Sequence, residues 1–325
     1  MINRKAFPRL VLILVIALAA CRRAEVEQGP IAAATATATP RSTPLPPVPT
    51  AIPPGTDDNP IRMLINPART VTDAQTTRFE EALQAESDLV VDVSVVDRYA
   101  EALAALCDSS PTNVVVAWLD GVTYEAATAQ NCGEPVMQVL HGRGSSASSG
   151  DVGQIVVIRQ GFSQVSSLAG RTFCRLGVDD YYGWLVPSLI MRVNGVDPVQ
   201  DLKAVVDYDS RNALIEALID GDCDAIGMSE SAFEDLRDSQ KEELKSIVST
   251  PALPFAILVY PLSLPLGERI RLDNALQGLA ADSEGRSVMQ ALLEQDSLVR
   301  VSRDDFEELT NFLSRTRLDF AQLGN

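Results

Sequence analysis

Leu168-Ala169-Gly170-Arg171-Thr172-Phe173 leads into the stretch whose reading decides the fold. From there short β-rich runs alternate with helical periods. Strands read over Thr172 to Leu176, Lys203 to Asp207 and Asp224 to Met228, and helices over Trp184 to Val193 and Arg211 to Ile219. Two short helices follow at Ser231 to Leu236 and Gln240 to Glu243. Strands alternating with helices imply an α/β unit. A strand at Ile155-Val156-Val157-Ile158 enters this unit, and Pro254 to Tyr260 reads as a strand returning from it.

Upstream lies a similar pattern. Strands read over Ile61 to Ile65, Leu89 to Val96, Asn113 to Leu119 and Pro135 to Leu140, with helices over Thr72 to Ala85, Tyr99 to Leu106 and Thr123 to Ala129. The glycine/serine stretch Gly142 to Gly153 reads as a loop. Helices Gly267 to Ala281, Ser283 to Gln295 and Arg303 to Phe320 close the chain. One α/β unit is thus left and re-entered through paired segments. Two lobes joined by two crossover strands fit this order, with lobe 1 at residues 61–158 and 251–325 and lobe 2 at 159–250. Two independent doubly wound domains would give the same periodicity. In either case small molecules bind in crevices at strand C-termini and helix N-termini.

The first sixty residues differ from the rest. Arg4, Lys5 and Arg9 precede the apolar run Leu10 to Ala20, which is too short to span a membrane and suits a signal peptide at residues 1–20. Leu18-Ala19-Ala20-Cys21 resembles a bacterial lipobox, which makes Cys21 the lipidated first residue of the mature chain. Residues 21–60, rich in Pro, Thr and Ala, read as an extended tether, because frequent proline blocks helix and sheet ladders. The expected location is the extracytoplasmic face of the cell membrane, held by lipid.

The formal net charge of −17 argues against a nucleic-acid partner, which needs a clustered basic surface. A single histidine, His141, argues against His-based zinc sites and triads, so neither metal nor cofactor is expected. Setting Cys21 aside, Cys107, Cys132, Cys174 and Cys223 allow three pairings in an oxidising compartment. Cys107–Cys132 with Cys174–Cys223 keeps each bond within one lobe. The alternative is four buried thiols.

Five segments in order resemble the phosphate/phosphonate-type substrate-binding proteins of ABC importers. They are Leu168 to Phe173, Gly183-Trp184-Leu185-Val186-Pro187 with Gly195-Val196-Asp197-Pro198, Ala217 to Ala225, Ser249 to Pro254, and Ser283-Glu284-Gly285-Arg286. The likeness is clear over residues 154–310 and looser over 61–141. It implies the type II periplasmic-binding-protein fold and ligand capture by lobe closure for an ABC importer, with its permease as membrane partner; the chain is expected to be a monomer. The family's anion site resembles Ser-Thr-Ser-Gly at a helix N-terminus, where Asp180-Tyr181-Tyr182-Gly183 stand here, preceded by Asp179. Tyr124 matches the position of a ligand-contacting tyrosine, and Arg211 that of a polar contact.

Two carboxylates where a dianion should sit would repel it by several kcal/mol at ~4 Å and effective ε ~20. Phosphonate is therefore disfavoured, and a zwitterionic or cationic organic ligand favoured. Alternatively, Asp179 and Asp180 only cap the helix. Trp118, Tyr124, Tyr181 and Tyr182 are expected to sandwich a ring or cage a cation, with Asp120 and Asp180 supplying charge; Trp118 and Trp184 could equally be core residues. Arg211 either holds a ligand carboxylate or pairs with Asp209. Glu230 and Asn66, each just beyond a strand, complete the candidate set. A sensory lipoprotein that signals to a membrane partner is the competing reading. An enzyme is the weakest one, since no Ser/His/Asp set, phosphate loop or metal cluster stands in the sequence.

Overall fold

The computed structural model describes residues 52–322 apart from Ala68 and Arg143. The signal peptide, Cys21 and most of the tether lie outside the described residues. The strands are β1 (Ile61–Ile65), β2 (Val91–Val95), β3 (Val115–Leu119), β4 (Glu134–Leu140), β5 (Gly150–Ile158), β6 (Thr172–Arg175), β7 (Ala204–Asp207), β8 (Ala225–Ser229), β9 (Leu244–Pro254), β10 (Ile257–Tyr260) and β11 (Ser297–Arg300). The helices are α1 (Asp73–Ser87), α2 (Tyr99–Cys107), α3 (Gly121–Ala129), α4 (Val186–Val193), α5 (Arg211–Asp220), α6 (Glu230–Glu234), α7 (Asp238–Glu243), α8 (Leu266–Ala281), α9 (Ser283–Leu293) and α10 (Glu307–Ser314).

The strands form two sheets. The first runs β11-β4-β10-β3-β1-β2 and the second β7-β6-β8-β5-β9. β1 pairs in parallel with β2 and β3, and β6 with β7 and β8, while β5, β10 and β11 run antiparallel to their neighbours. This is the two-lobed α/β architecture expected from the sequence. β3 is buried along its whole length, as an inner strand of a sheet covered on both faces must be.

Three boundaries differ from the sequence reading. β5 and β9 both belong to the second sheet over their full lengths, so the chain crosses between sheets at residues 141–149 and again at 255–256. The glycine-rich end of the expected loop is strand. Gly150 and Gly153 lie in β5 because their neighbours come too close for a side chain: a Cβ on Gly150 would stand 2.2 Å from the Leu253 carbonyl, and one on Gly153 2.3 Å from Val186. The expected tether also ends early. Gly55 accepts from Val90 N–H, the buried Asn59 side chain donates to the Pro111 carbonyl (3.1 Å), and both belong to the folded unit.

One apolar cluster is shared between the lobes. It includes Leu64, Ala117 and Leu119 of the first sheet and Ile155, Phe173 and Ala225 of the second, together with α4 and the C-terminal residues Phe306, Leu309 and Leu313. Helix α10 packs on α3, β9 and α4, which lie on both sides of the seam. The disulfides are Cys107–Cys132 and Cys174–Cys223, each inside one lobe.

Candidate functional site

The C-terminal ends of β1 and β3 lead to Asn66 and Asp120 in one lobe, and that of β8 to Ser229 in the other. Helices begin just beyond two of these ends. Asp120 caps α3, its carboxylate accepting from Thr123 N–H (2.8 Å) and the Thr123 hydroxyl (3.2 Å), and Ser229 caps α6. In the second lobe Asp180 caps the segment Tyr181–Leu185, a single π-helical turn that runs into α4. The Leu185 N–H reaches the Asp180 carbonyl at 3.0 Å, which widens the turn, and both tyrosines pack against the apolar cluster shared between the lobes.

Two glycines seat that turn. A Cβ on Gly227 of β8 would come within 2.6 Å of the Tyr182 carbonyl and 2.8 Å of the Gly183 carbonyl. Gly153 of β5 faces Val186 and the Tyr182 ring. The turn thus lies flat on the sheet, which an alanine at either position would prevent.

At the seam, the charge of Asp120 in the first lobe acts on Tyr181 and Tyr182 of the second and on Tyr99 of α2. Asp120 is only 8% exposed. Burial pushes its carboxyl above the ordinary aspartate value, against the hydrogen bonds from Thr123 that pull it down. Burial, reinforced by the Asp120 charge, also raises the Tyr99 and Tyr181 phenols. For Tyr182 burial is followed by Asp151 and then Asp120. The Tyr181 and Tyr182 rings meet edge to face at 5.0 Å, and the buried Tyr181 hydroxyl has no partner among the described residues. Raised phenols keep their protons, so the three hydroxyls remain hydrogen-bond donors within the electrostatic reach of one buried carboxylate.

Beside it a cavity of about 120 Å³ opens into the second lobe, lined by Asp180, Tyr182, Gly183, Arg211 and Ser229. Arg211 is exposed and forms no ion pair with Asp209 among the described residues. Asp180 accepts from Gly183 N–H at 2.9 Å. Asp179 is exposed, and so is Glu230, at the start of α6.

The remaining expected residues separate. Tyr124, 2% exposed, packs at a tilt of 52° against Phe306, ring centroids 4.8 Å apart, and belongs to the core shared with the C-terminal segment. A motif position identified it; the packing of Phe306 decides where its ring goes. Trp184 lies under the Arg175 guanidinium, 4.5 Å away, and beside Phe173. Trp118 and Asn66 border a cavity of about 240 Å³ on the first-lobe side, which also takes in Tyr99 and the crossover residues His141 and Phe255. Tyr99 and Asp151 were not singled out in the sequence. Tyr99 had one legible signal, an aromatic residue opening the helix that follows a strand end. Among the described residues no group of three or more His, Cys, Asp or Glu could hold a metal ion, and no helix is long and apolar enough to cross a membrane.

A family model described as "ABC transporter, phosphonate, periplasmic substrate-binding protein" matches residues 63–306. The chain belongs to that family. As a substrate-binding protein of the phosphonate type it takes a small-molecule ligand, works with an ABC permease and acts outside the cytoplasm. Its fold resembles a binding protein component of an ABC phosphonate transporter from Pseudomonas aeruginosa, with TM-score 0.54 and 17% identity over 80% of this chain and 87% of that one. It also resembles a Xanthomonas citri protein bound to ATP, at TM-score 0.56 and 12% identity over 80% and 97% of the two chains. PhnD1 of Prochlorococcus marinus in complex with methylphosphonate gives TM-score 0.50 and 15% identity over 78% and 97%. At identities this low the structural likeness establishes the fold alone. No curated protein matches the chain.

Proposed function

We propose that this protein is a lipid-anchored solute-binding component, held to the membrane through Cys21, that captures a small zwitterionic or cationic organic ligand at the seam between its lobes and delivers it to an ABC importer. The observation that carries the ligand reading is Asp180. Its carboxylate takes the Gly183 N–H that would otherwise face an anion at this helix start, and adds a negative charge there. Asp120, buried across the seam, adds a second carboxyl that favours a cationic or hydrogen-bond-donating group. Arg211, unpaired with Asp209, is the counterpart for a ligand carboxylate. Asp120, Tyr181 and Tyr182, with Asp180, Gly183 and Arg211, are the proposed contacts; Tyr99 joins them. The fold itself does not choose the ligand, since relatives of this shape are described with methylphosphonate and with ATP.

Isothermal calorimetry tests the reading. Methylphosphonate and phosphate should give no saturable heat at millimolar concentration, whereas a panel of amino acids and betaines should contain a binder. Asp180→Ser, which removes the charge and keeps a cap, should raise affinity for phosphonate. Tight phosphonate binding by the unaltered protein would overturn the proposal. A chain carrying Cys21→Ser that still partitions with membranes would refute the anchor.

A further inference from the structure

Large aliphatic side chains stand in water at one end of the first lobe. Ile52, Leu262, Leu266 and Ile270 are each at least half exposed. Scattered singly, such residues need no explanation; gathered at one end, they mark a contact surface. Hydrogen bonds hold the segments that carry them together. The Asn59 amide donates to the Ile52 carbonyl (3.0 Å) and the Pro111 carbonyl (3.1 Å), and the Ser109 and Ser263 hydroxyls meet at 2.9 Å. Arg269 donates to the Pro261 and Leu264 carbonyls, both at 2.7 Å, which fixes the loop leading into α8. Leu266 and Ile270, four residues apart on α8, share one helix face.

This end is the N-terminal edge of the parallel strands β1 and β3, where the antiparallel β10 finishes. Asn66 and Asp120 lie at the opposite edge, about 16 Å away along a five-residue strand. The aliphatic end is therefore separate from the seam. It is also where the chain enters the folded unit from the tether.

We infer that this end is a membrane-resting surface, whose aliphatic side chains insert shallowly into a zwitterionic lipid leaflet. The inference rests on the lipid anchor proposed above. A tether of residues 21–51 rooted beside Ile52 brings this end to the lipid and holds it at an effective concentration of about millimolar, so a weak contact suffices. Ile and Leu side chains offer no hydrogen bonds, as hydrocarbon asks for none, whereas protein interfaces centre on Trp, Tyr and Arg. Arg271, the exposed cation nearby, is held by Glu268 at 3.3 Å. Asp57, Asp58, Asp88 and Asp108 are exposed around the same end. In a two-fold dimer these carboxylates would face their own copies, and on an anionic leaflet they would face like charge. A neutral phosphocholine surface opposes neither.

The test supplies its own anchor. The chain from residue 21, carrying Cys21→Ser and an N-terminal His-tag, is tethered to phosphatidylcholine vesicles through a nickel-chelating lipid, so its outcome does not depend on whether Cys21 is lipidated. With Leu266→Cys labelled by the fluorophore NBD, emission should shift to the blue and rise several-fold on tethering. Val199→Cys, an equally exposed position on the second lobe, should show no shift with the same label. Adding Leu262→Ser and Ile270→Ser to the Leu266→Cys chain should abolish the shift, and replacing part of the phosphatidylcholine by phosphatidylglycerol should reduce it. No shift at position 266, or an equal one at 199, would overturn the inference. So would a shift that appears without vesicles and grows with protein concentration, which would assign the surface to a second copy of the chain.

Discussion

At the scale of single residues, Asp120 carries the largest consequence. Its carboxyl is buried at the helix cap with Thr123, and its charge acts on the Tyr99, Tyr181 and Tyr182 phenols. Desolvation raises its value above that of the unfolded chain. A raised carboxyl favours folding while it is protonated in both states, below the unfolded value near ~3.9. That contribution is lost as pH rises through the folded value, where an ionised Asp120 must be buried. Asparagine caps helices as well as aspartate does, so Asp120→Asn keeps the cap and removes the titration. The variant should gain stability over the parent at pH 7–8, by about 1.4 kcal/mol per unit of upward shift. The gain should vanish toward pH 4. Urea midpoints measured for both chains between pH 4 and 8 check this, and parallel pH profiles would refute it. Asp120 was legible as a candidate because it follows a buried strand and opens a helix. Its surroundings were not, since Tyr99, Tyr181 and Tyr182 reach it from elements brought together only by the fold.

At the scale of elements, the turn Tyr181–Leu185 depends on two glycines in strands distant in sequence. Gly227→Ala would put its Cβ 2.2 Å from the Pro187 ring and against two carbonyls of the turn. Backbone cannot yield as a side-chain tip can. The substitution should cost about 1–3 kcal/mol, the usual range for overpacking, and lift the turn from β8. Hydrogen exchange at the Leu185 and Val186 amides, which bond the Asp180 and Tyr181 carbonyls, should quicken. Gly177→Ala, with nothing within 4 Å of its added Cβ, is the matched control and should leave both readouts unchanged. If the two variants behave alike, the glycine seat is not what holds the turn. The same glycines explain the limits of sequence reading. Buried runs such as Val115–Leu119 announce themselves by apolar continuity. β9, with Lys245, Ser246, Ser249 and two prolines, alternates exposed and covered positions and carries register shifts against β5. β11 is only four residues at a sheet edge. Both were missed because tertiary pairing, not local pattern, makes them strands.

At the scale of the whole molecule, the crossovers and the shared core bear on how the lobes lose structure. Each disulfide closes a loop within one lobe, with sequence separations of 25 for Cys107–Cys132 and 49 for Cys174–Cys223. Loop-closure entropy assigns them about 3.5 and about 4 kcal/mol. Two lobes tied only by crossovers would unfold separately, and removing one bond would lower one of two transitions. Here Leu64 and Leu119 of one sheet share a cluster with Phe173 and Ala225 of the other, and α10 packs on elements of both. A continuous core makes the lobes cooperative. Cys107→Ser/Cys132→Ser and Cys174→Ser/Cys223→Ser should therefore each shift a single common transition. The shift should appear equally when followed by Trp118 in the first lobe and by Trp184 in the second, each isolated by replacing the other tryptophan with phenylalanine. Two transitions, each moved by only one of the disulfide deletions, would show that the lobes fold independently and that the shared cluster contributes little to holding the seam closed.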